Sequence, residues 1–264
     1  SMNSLREFCY EKLNKDPQDL MKSNRMWDKR AKEFSKSSKK NEVNYVDYLK
    51  RFVDLKGASV LDVGCGTSDY LKILLDESAV VEGLEPSKEM RKIGLNYLKD
   101  NGYPNVTIYH SSLQDFEVSK KYEYVFIANS PAISYYENYE KILSLAEKGI
   151  LIGSWLDSSD SLLDEIARRL HIVPKKHGGK DILYFFNLLL EDGYKANFQT
   201  VTRQSSVMEN ALNSLERYTS WFYGPDYNYD DLNRVKDIIM ELSNEKGEVL
   251  IHKEATNAIV FAEK

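Results

Sequence analysis

The chain has 264 residues, with 36 Lys and Arg against 41 Asp and Glu, a formal net charge of −5 and a sequence pI of about 5.6. Its 42% hydrophobic and 29% charged residues are those of an ordinary globular protein, which excludes disordered and fibrous classes; the longest nearly apolar stretch, Ile182 to Leu190, is far short of the ~20 residues that cross a bilayer. Cys9 and Cys65 are too few for a disulfide framework and the amino terminus lacks an apolar leader core, so a cytoplasmic home is expected.

In chain order, the first fifty residues read as helices. Ser4 to Lys15 is one, and Pro17 to about Phe34 is the next, with Leu20, Met21, Met26, Trp27, Ala31 and Phe34 recurring near a 3.6 period. A polar stretch, Ser35 to Asn41, reads as a loop before a third helix near Tyr45 to Phe52. Residues 1–51 hold 13 Lys and Arg against 8 Asp and Glu, a local +5 that leaves −10 for the rest. From Ala58 the period changes: Ser59–Val63, Val80–Glu85, Val106–His110, Tyr124–Ala128 and Ile150–Trp155 are predicted strands, alternating with helices over Asp69–Leu75, Lys88–Lys99 and Tyr136–Glu147. Such alternation predicts right-handed βαβ crossovers, a parallel sheet, and a ligand at the carboxyl ends of its strands. Beyond Trp155 the pattern gives helices near Leu162–Leu170 and Asp181–Glu191, a strand near Tyr194–Thr202, helices over Val207–Trp221 and Asp230–Asn244, and two short final runs, Val249–His252 and Asn257–Ala262. The expected organisation is a helical cap, 1–52, followed by one α/β domain, 53–264, with helical, aromatic insertions at about 158–192 and 205–247.

The strongest chemical signal is Val60-Leu61-Asp62-Val63-Gly64-Cys65-Gly66-Thr67-Ser68. An apolar strand enters two glycines spaced by one residue, where the backbone turns tightly and a ligand can reach the main chain; the amides that open the next helix then face it. Glu85 ends the second strand 21 positions beyond Gly64, where a carboxylate can accept both hydroxyls of a ribose. Pro86 and Ser87 follow, with Ser87 as the cap of the next helix and Met90 in its first turn. A dinucleotide fingerprint would need glycine where Asp69 stands, and a carboxylate there repels a pyrophosphate. Asp62 and Asp69 instead suit the cationic sulfonium and ammonium of S-adenosylmethionine, which disfavours a nicotinamide-dependent oxidoreductase.

Asp62 through Ser68 resembles the first motif of class I S-adenosylmethionine-dependent methyltransferases, with Ser68 at the family's third glycine and Glu85 at its ribose-binding acid. The resemblance implies a Rossmann-like seven-stranded sheet, mostly parallel with an antiparallel last strand, an N-terminal helical cap and a C-terminal helical insertion. It implies S-adenosyl-L-methionine as cofactor and S-adenosyl-L-homocysteine as product. Ser111-Ser112-Leu113-Gln114-Asp115-Phe116 looks like the family's adenine-binding stretch, with Ser112 replacing its aspartate. Asn129 and Ser130 fall where the family contacts the methionine moiety. Trp27 to Phe34, including Arg30, is similar to a segment ahead of the core in small-molecule members. The implied cofactor residues are Asp62, Gly64, Cys65, Gly66, Glu85, Pro86, Met90, Ser112, Leu113, Asn129, Ser130, Trp27 and Arg30.

The implied reaction is methyl transfer to a small organic acceptor by in-line displacement, in which the protein positions the acceptor and excludes water. A general base is needed only for a protonated nucleophile; the candidates are His110, His171, His177, His252 and tyrosines such as Tyr135 and Tyr136, with His110, Tyr135 and Tyr136 put forward although none of the six has a neighbouring signature. No His, Cys and carboxylate cluster has ligand spacing, so no metal is expected. Asn129-Ser130-Pro131-Ala132 lacks the first proline and the aromatic of the Asn-Pro-Pro-Tyr motif of amine methyltransferases. From Tyr184 to Tyr229 there are 11 Phe, Trp and Tyr in 46 residues; the dense part, 218–229, is either an apolar wall for the acceptor or the core of a helical subdomain. Two alternatives stay open: a non-catalytic adenosyl-binding module, and an RNA or protein methyltransferase that uses the basic arm.

Overall fold

The computed structural model describes residues 4–36, 42–173, 179–224 and 226–264, and the side chains among them except at positions 17, 18, 20, 21, 29, 30 and 33–36. Strands β1 (Ser59–Val63), β2 (Val80–Leu84), β3 (Ile108–Tyr109), β4 (Tyr122–Ala128) and β5 (Ala146–Asp160) stand in the order β3-β2-β1-β4-β5. All four pairings are parallel, with Val60 opposite Val81 and Tyr124, Gly83 opposite Ile108, and Val125 opposite Ile150. A parallel strand is covered on both faces and therefore reads as a continuous apolar run; Val60, Leu61, Val125, Phe126, Ile150 and Leu151 are all fully buried. Two longer strands, β6 (Lys195–Glu209) and β7 (Val249–Glu263), complete a seven-stranded sheet in the order β5-β7-β6. Side-chain hydrogen bonds join Thr202 to Thr256, Gln204 to Glu254 and Ser206 to His252. One strand ascends in number as the other descends, so this last pair is antiparallel, as expected.

The helices are α1 (Leu5–Leu13), α2 (Pro17–Lys36), α3 (Tyr45–Leu49), α4 (Asp69–Asp76), α5 (Lys88–Asp100), α6 (Tyr136–Leu145), α7 (Ser161–Leu170), α8 (Asp181–Glu191), α9 (Leu215–Tyr223) and α10 (Tyr229–Leu242). The chain divides into two compact units. The first comprises Ser1–Ser154, Lys180–Thr200 and Asn257–Lys264, and it carries the cofactor motifs. The second comprises Trp155–Gly179 and Val201–Thr256. Its own core gathers Leu162, Ile166, Ala211, Tyr218, Val235, Ile239 and Ile251, with Phe222 and Tyr223 packed against them. Half of the aromatic-dense segment therefore serves this core. Tyr218 also donates to Asp160, the residue that caps α7.

Some elements differ from their sequence reading. Val207 to Trp221 is not one helix: β6 continues to Glu209, Asn210 caps a 3-10 turn over Ala211–Ser214, and α9 begins at Leu215. Pairing with β7 overrides the helical spacing of the apolar residues there. The two final runs are one strand, because the polar stretch between them pairs with β6 through Glu254 and Thr256. The expected strand over Val106–His110 shrinks to two residues, held by Gly83 N–H donating to Thr107 O and Glu85 N–H donating to Tyr109 O. The expected Ser/Lys loop lies outside the described residues from 37 to 41, as does His177. Among the described residues no helix is long and apolar enough to cross a membrane.

Candidate functional site

At the carboxyl end of β1 the chain turns through three left-handed residues, Gly64 at φ +73°, Gly66 at +55° and Ser68 at +68°. Gly64 and Cys65 N–H groups both donate to Leu84 O, which ties the loop to the end of β2. A Cβ at Gly64 would overlap Ser130 Oγ, so only glycine lets the β1 loop lie against the segment after β4. Ser68 holds a glycine-like conformation without a glycine's freedom; Gly94 of α5 makes room for it, since a Cβ there would overlap Ser68 Oγ.

Glu85 is buried, and both of its oxygens are occupied by backbone. Gly66 N–H donates to Oε2 and Ser87 N–H to Oε1, each at 2.8 Å. Burial is the largest cause of a carboxyl pKa above its ordinary value, partly offset by these two donors, while Asp28 raises it further. Asp62 is 1% exposed. Its Oδ2 has no hydrogen-bond partner among the described residues, and burial, then the charge of Glu85, push its carboxyl well up. Burial of two carboxyls beside a left-handed loop disfavours their ionisation, a cost that a cation placed there would relieve. Ser87 caps α5 through Met90 N–H at 3.1 Å and donates in turn to Asp28 of α2 at 2.5 Å. Met90 lies under the loop, its Cε 3.4 Å from where a Gly66 Cβ would stand.

The other predicted residues take the following places. Cys65 is buried, and its thiol pKa is pushed well up by burial and then by Asp62 and Glu85, which makes it a packing residue. His110 Nε2 lies 3.1 Å from Pro86 O, on the Glu85 side of the site. Ser112 Oγ is engaged with Asp115, donating to Oδ2 at 2.7 Å and accepting from its N–H at 3.2 Å, while Leu113 is buried. Trp27 is half-buried on α2, one residue before Asp28; the side chain of Arg30 lies outside the described residues. Asn129 has a left-handed backbone at φ +50°, its N–H donating to Gly153 O. Ser130 caps the 3-10 turn Pro131–Ser134 by accepting from Ala132 N–H. Tyr135 is 5% exposed, and its phenol pKa is raised by burial, then by Asp19, Asp181 and Asp16. Tyr136 accepts from Arg6 of α1 and packs edge-on against Tyr10, so its hydroxyl serves the docking of α1. Among the described residues no group of His, Cys, Asp and Glu could hold a metal.

Three features here had weak or no sequence signal. Asp28 lies in the quoted Trp27–Phe34 segment, yet nothing there marks it as a partner of Ser87. Tyr45 donates to Asn129 Oδ1 and accepts from Asn257 Nδ2, a convergence of three distant segments. Asp181 accepts from Ser134 Oγ and Lys15 Nζ, each at 2.6 Å, joining the start of α8 to the turn after β4 and to the chain after α1.

Residues 60–148 match the family model described as methyltransferase domain. Over 69 residues the chain is 38% identical to demethylmenaquinone methyltransferase of Anoxybacillus flavithermus, covering 25% of this chain and 29% of that one. Over 88 residues it is 36% identical to dTDP-3-amino-3,6-dideoxy-alpha-D-glucopyranose N,N-dimethyltransferase of Streptomyces fradiae, covering 30% and 32%. The chain thus spans about a third of the length of either curated relative. A Bacillus halodurans structure provisionally named a methyltransferase superposes with a TM-score of 0.54 at 13% identity, over 83% of this chain and 98% of that one. Motif, sheet order and family model agree on a methyltransferase domain over residues 60–148.

Proposed function

We propose that this chain binds S-adenosyl-L-methionine and transfers its methyl group to a small organic acceptor, leaving S-adenosyl-L-homocysteine. The observation that carries the reading is the pair of buried carboxyls, Asp62 with an unpartnered oxygen and Glu85 held by backbone amides, at a loop where a Cβ on Gly64 would collide with Ser130. This donor set fits the cofactor: Glu85 would take the ribose hydroxyls, Asp62 would face its cationic end, and Gly64, Gly66 and Met90 would line its contact with the main chain. When bound, the group supplies a methyl carbon already activated by positive sulfur. The chain's own task is then to orient the acceptor and exclude water.

Asp28 on α2 contributes to that task by holding the amino-terminal segment at the start of α5. Tyr135, buried and with a raised phenol pKa, is disfavoured as a base. A small acceptor is favoured over RNA by the engagement of the basic arm: Arg6 pairs with Glu191 and Asp192, Lys15 with Asp181, and Lys50 with Asp47 and Glu77. The names of the quinone and amino-sugar relatives point the same way.

Titration calorimetry tests the reading. Both adenosyl compounds should bind, and Glu85→Ala should weaken S-adenosylhomocysteine by roughly tenfold to a hundredfold, the worth of charge-assisted hydrogen bonds of about 1.5–3 kcal/mol. Tight binding of NAD(H) with no response to either adenosyl compound would sink it.

A further inference from the structure

Tyr45, in α3, is fully buried. Its ring lies over Gly153, where any Cβ would overlap it, and stacks on Tyr70 at a centroid distance of 5.2 Å. The hydroxyl stands between two carboxamides, donating to Asn129 Oδ1 at 2.8 Å and accepting from Asn257 Nδ2 at 2.7 Å. A phenol has one proton to give. Because Asn257 supplies a proton on one side, the proton of Tyr45 goes to Asn129, which fixes Oδ1 toward Tyr45 and leaves Nδ2 as the outward donor. Asn129 Nδ2 has no hydrogen-bond partner among the described residues. The Asn129 backbone is pinned as well, left-handed at φ +50° with its N–H on Gly153 O, and Ser130 beside it meets the Gly64 loop. Asn257 is 1% exposed and keeps its place although its own Oδ1 is buried without a partner. That is a cost an apolar side chain would avoid, so packing alone does not account for an asparagine there.

We propose that Tyr45 and Asn257 are positioning residues that preset the Asn129 carboxamide as a hydrogen-bond donor at the carboxyl end of β4, for a carboxylate oxygen at the amino-acid end of the adenosyl ligand. The proposal rests on the methyltransferase reading for its ligand; the relay itself is a property of the free chain.

The test combines binding with a readout that needs no ligand. Tyr45→Phe keeps the ring and removes the hydroxyl; it should weaken S-adenosylhomocysteine about tenfold and leave 5′-methylthioadenosine, which lacks the amino-acid end, unchanged. Asn257→Leu should give the same selectivity with a smaller loss, and it decides the matter if the Phe variant folds poorly. In an Asn129→Ala background neither substitution should weaken binding further, because each acts through Asn129. In the ligand-free protein the side-chain amide resonances of Asn129 should shift and broaden in Tyr45→Phe. Additive losses in the double variants, equal losses for both ligands, or unmoved amide resonances would overturn the proposal. A chain that binds neither compound would overturn the methyltransferase reading together with the ligand named here, while the resonances still decide whether Tyr45 holds Asn129.

Discussion

Around Glu85 the partners are backbone amides, 19 and 2 residues away in sequence. Around the Asn129 carboxamide they are side chains: Tyr45 lies 84 residues from it in sequence, and Asn257, which bonds Tyr45 in turn, lies 212 from Tyr45. The first region is made by the course of the main chain, so it tolerates many side chains but no added Cβ at its turning point. The second is made by single polar atoms brought together by the finished fold, so it tolerates changes in bulk poorly and changes in one hydroxyl selectively. A ligand spanning both regions would meet a rigid cradle at one end and an adjustable contact at the other.

The largest break in this comparison should come from Gly64→Val. Its φ of +73° is costly for a β-branched residue, and the new Cβ would overlap Ser130 Oγ. Backbone strain of this kind costs on the order of 1–3 kcal/mol before the clash is counted, so urea denaturation should reveal at least that loss, with S-adenosylhomocysteine binding abolished. Unchanged stability would mean that the loop is not set by its backbone.

A smaller and opposite effect is expected from Asp62→Asn. The Asp62 and Glu85 carboxyls both have folded pKa values above the ordinary range. The ligand-free chain therefore holds their protons more firmly than the unfolded chain does, and stability present at low pH is lost as pH rises through the folded values. Removing the buried charge should stabilise the free protein by about 1–2 kcal/mol once the pH exceeds the folded values and flatten the fall of its stability with rising pH. It should also weaken the sulfonium cofactor more than the product, whose sulfur is an uncharged thioether. Equal weakening of the two would separate Asp62 from the sulfonium.

The smallest effect belongs to Tyr135. Burial and the carboxylates of Asp19, Asp181 and Asp16 raise its phenol pKa, so in a spectrophotometric titration Tyr135→Phe should remove no tyrosinate signal below the ordinary phenol range near pH 10. A missing transition near neutrality would restore Tyr135 as a base.

These two regions were unequally legible in the sequence. Gly64, Gly66 and Glu85 stand at spacings set by one strand, one turn and one crossover, and a local rule relates such spacing to geometry. The serine at the third glycine position, read only as a residue small enough for close approach, also takes a left-handed backbone at φ +68°. The parallel strands were legible because burial on both faces writes an unbroken apolar run. Tyr45 and Asn257 carried no such mark: a tyrosine in a short helix and an asparagine in a last strand acquire meaning only when the sheet brings β4, β5 and β7 together. The extension of β6 through Val207 and Met208 was missed for a related reason, since its partner strand lies beyond two intervening helices and local spacing there favoured a helix.

The path of the chain between the two compact units has a genetic consequence. It crosses between them at 154/155, 179/180, 200/201 and 256/257, so neither unit is a continuous stretch. No stop codon or single proteolytic cut would release the second unit intact, and exchanging it between related genes would require two separate segments to be swapped at once. Recombination is therefore a poor route to new versions of it, and its variation has to accumulate in place, by substitution and by insertions within its turns.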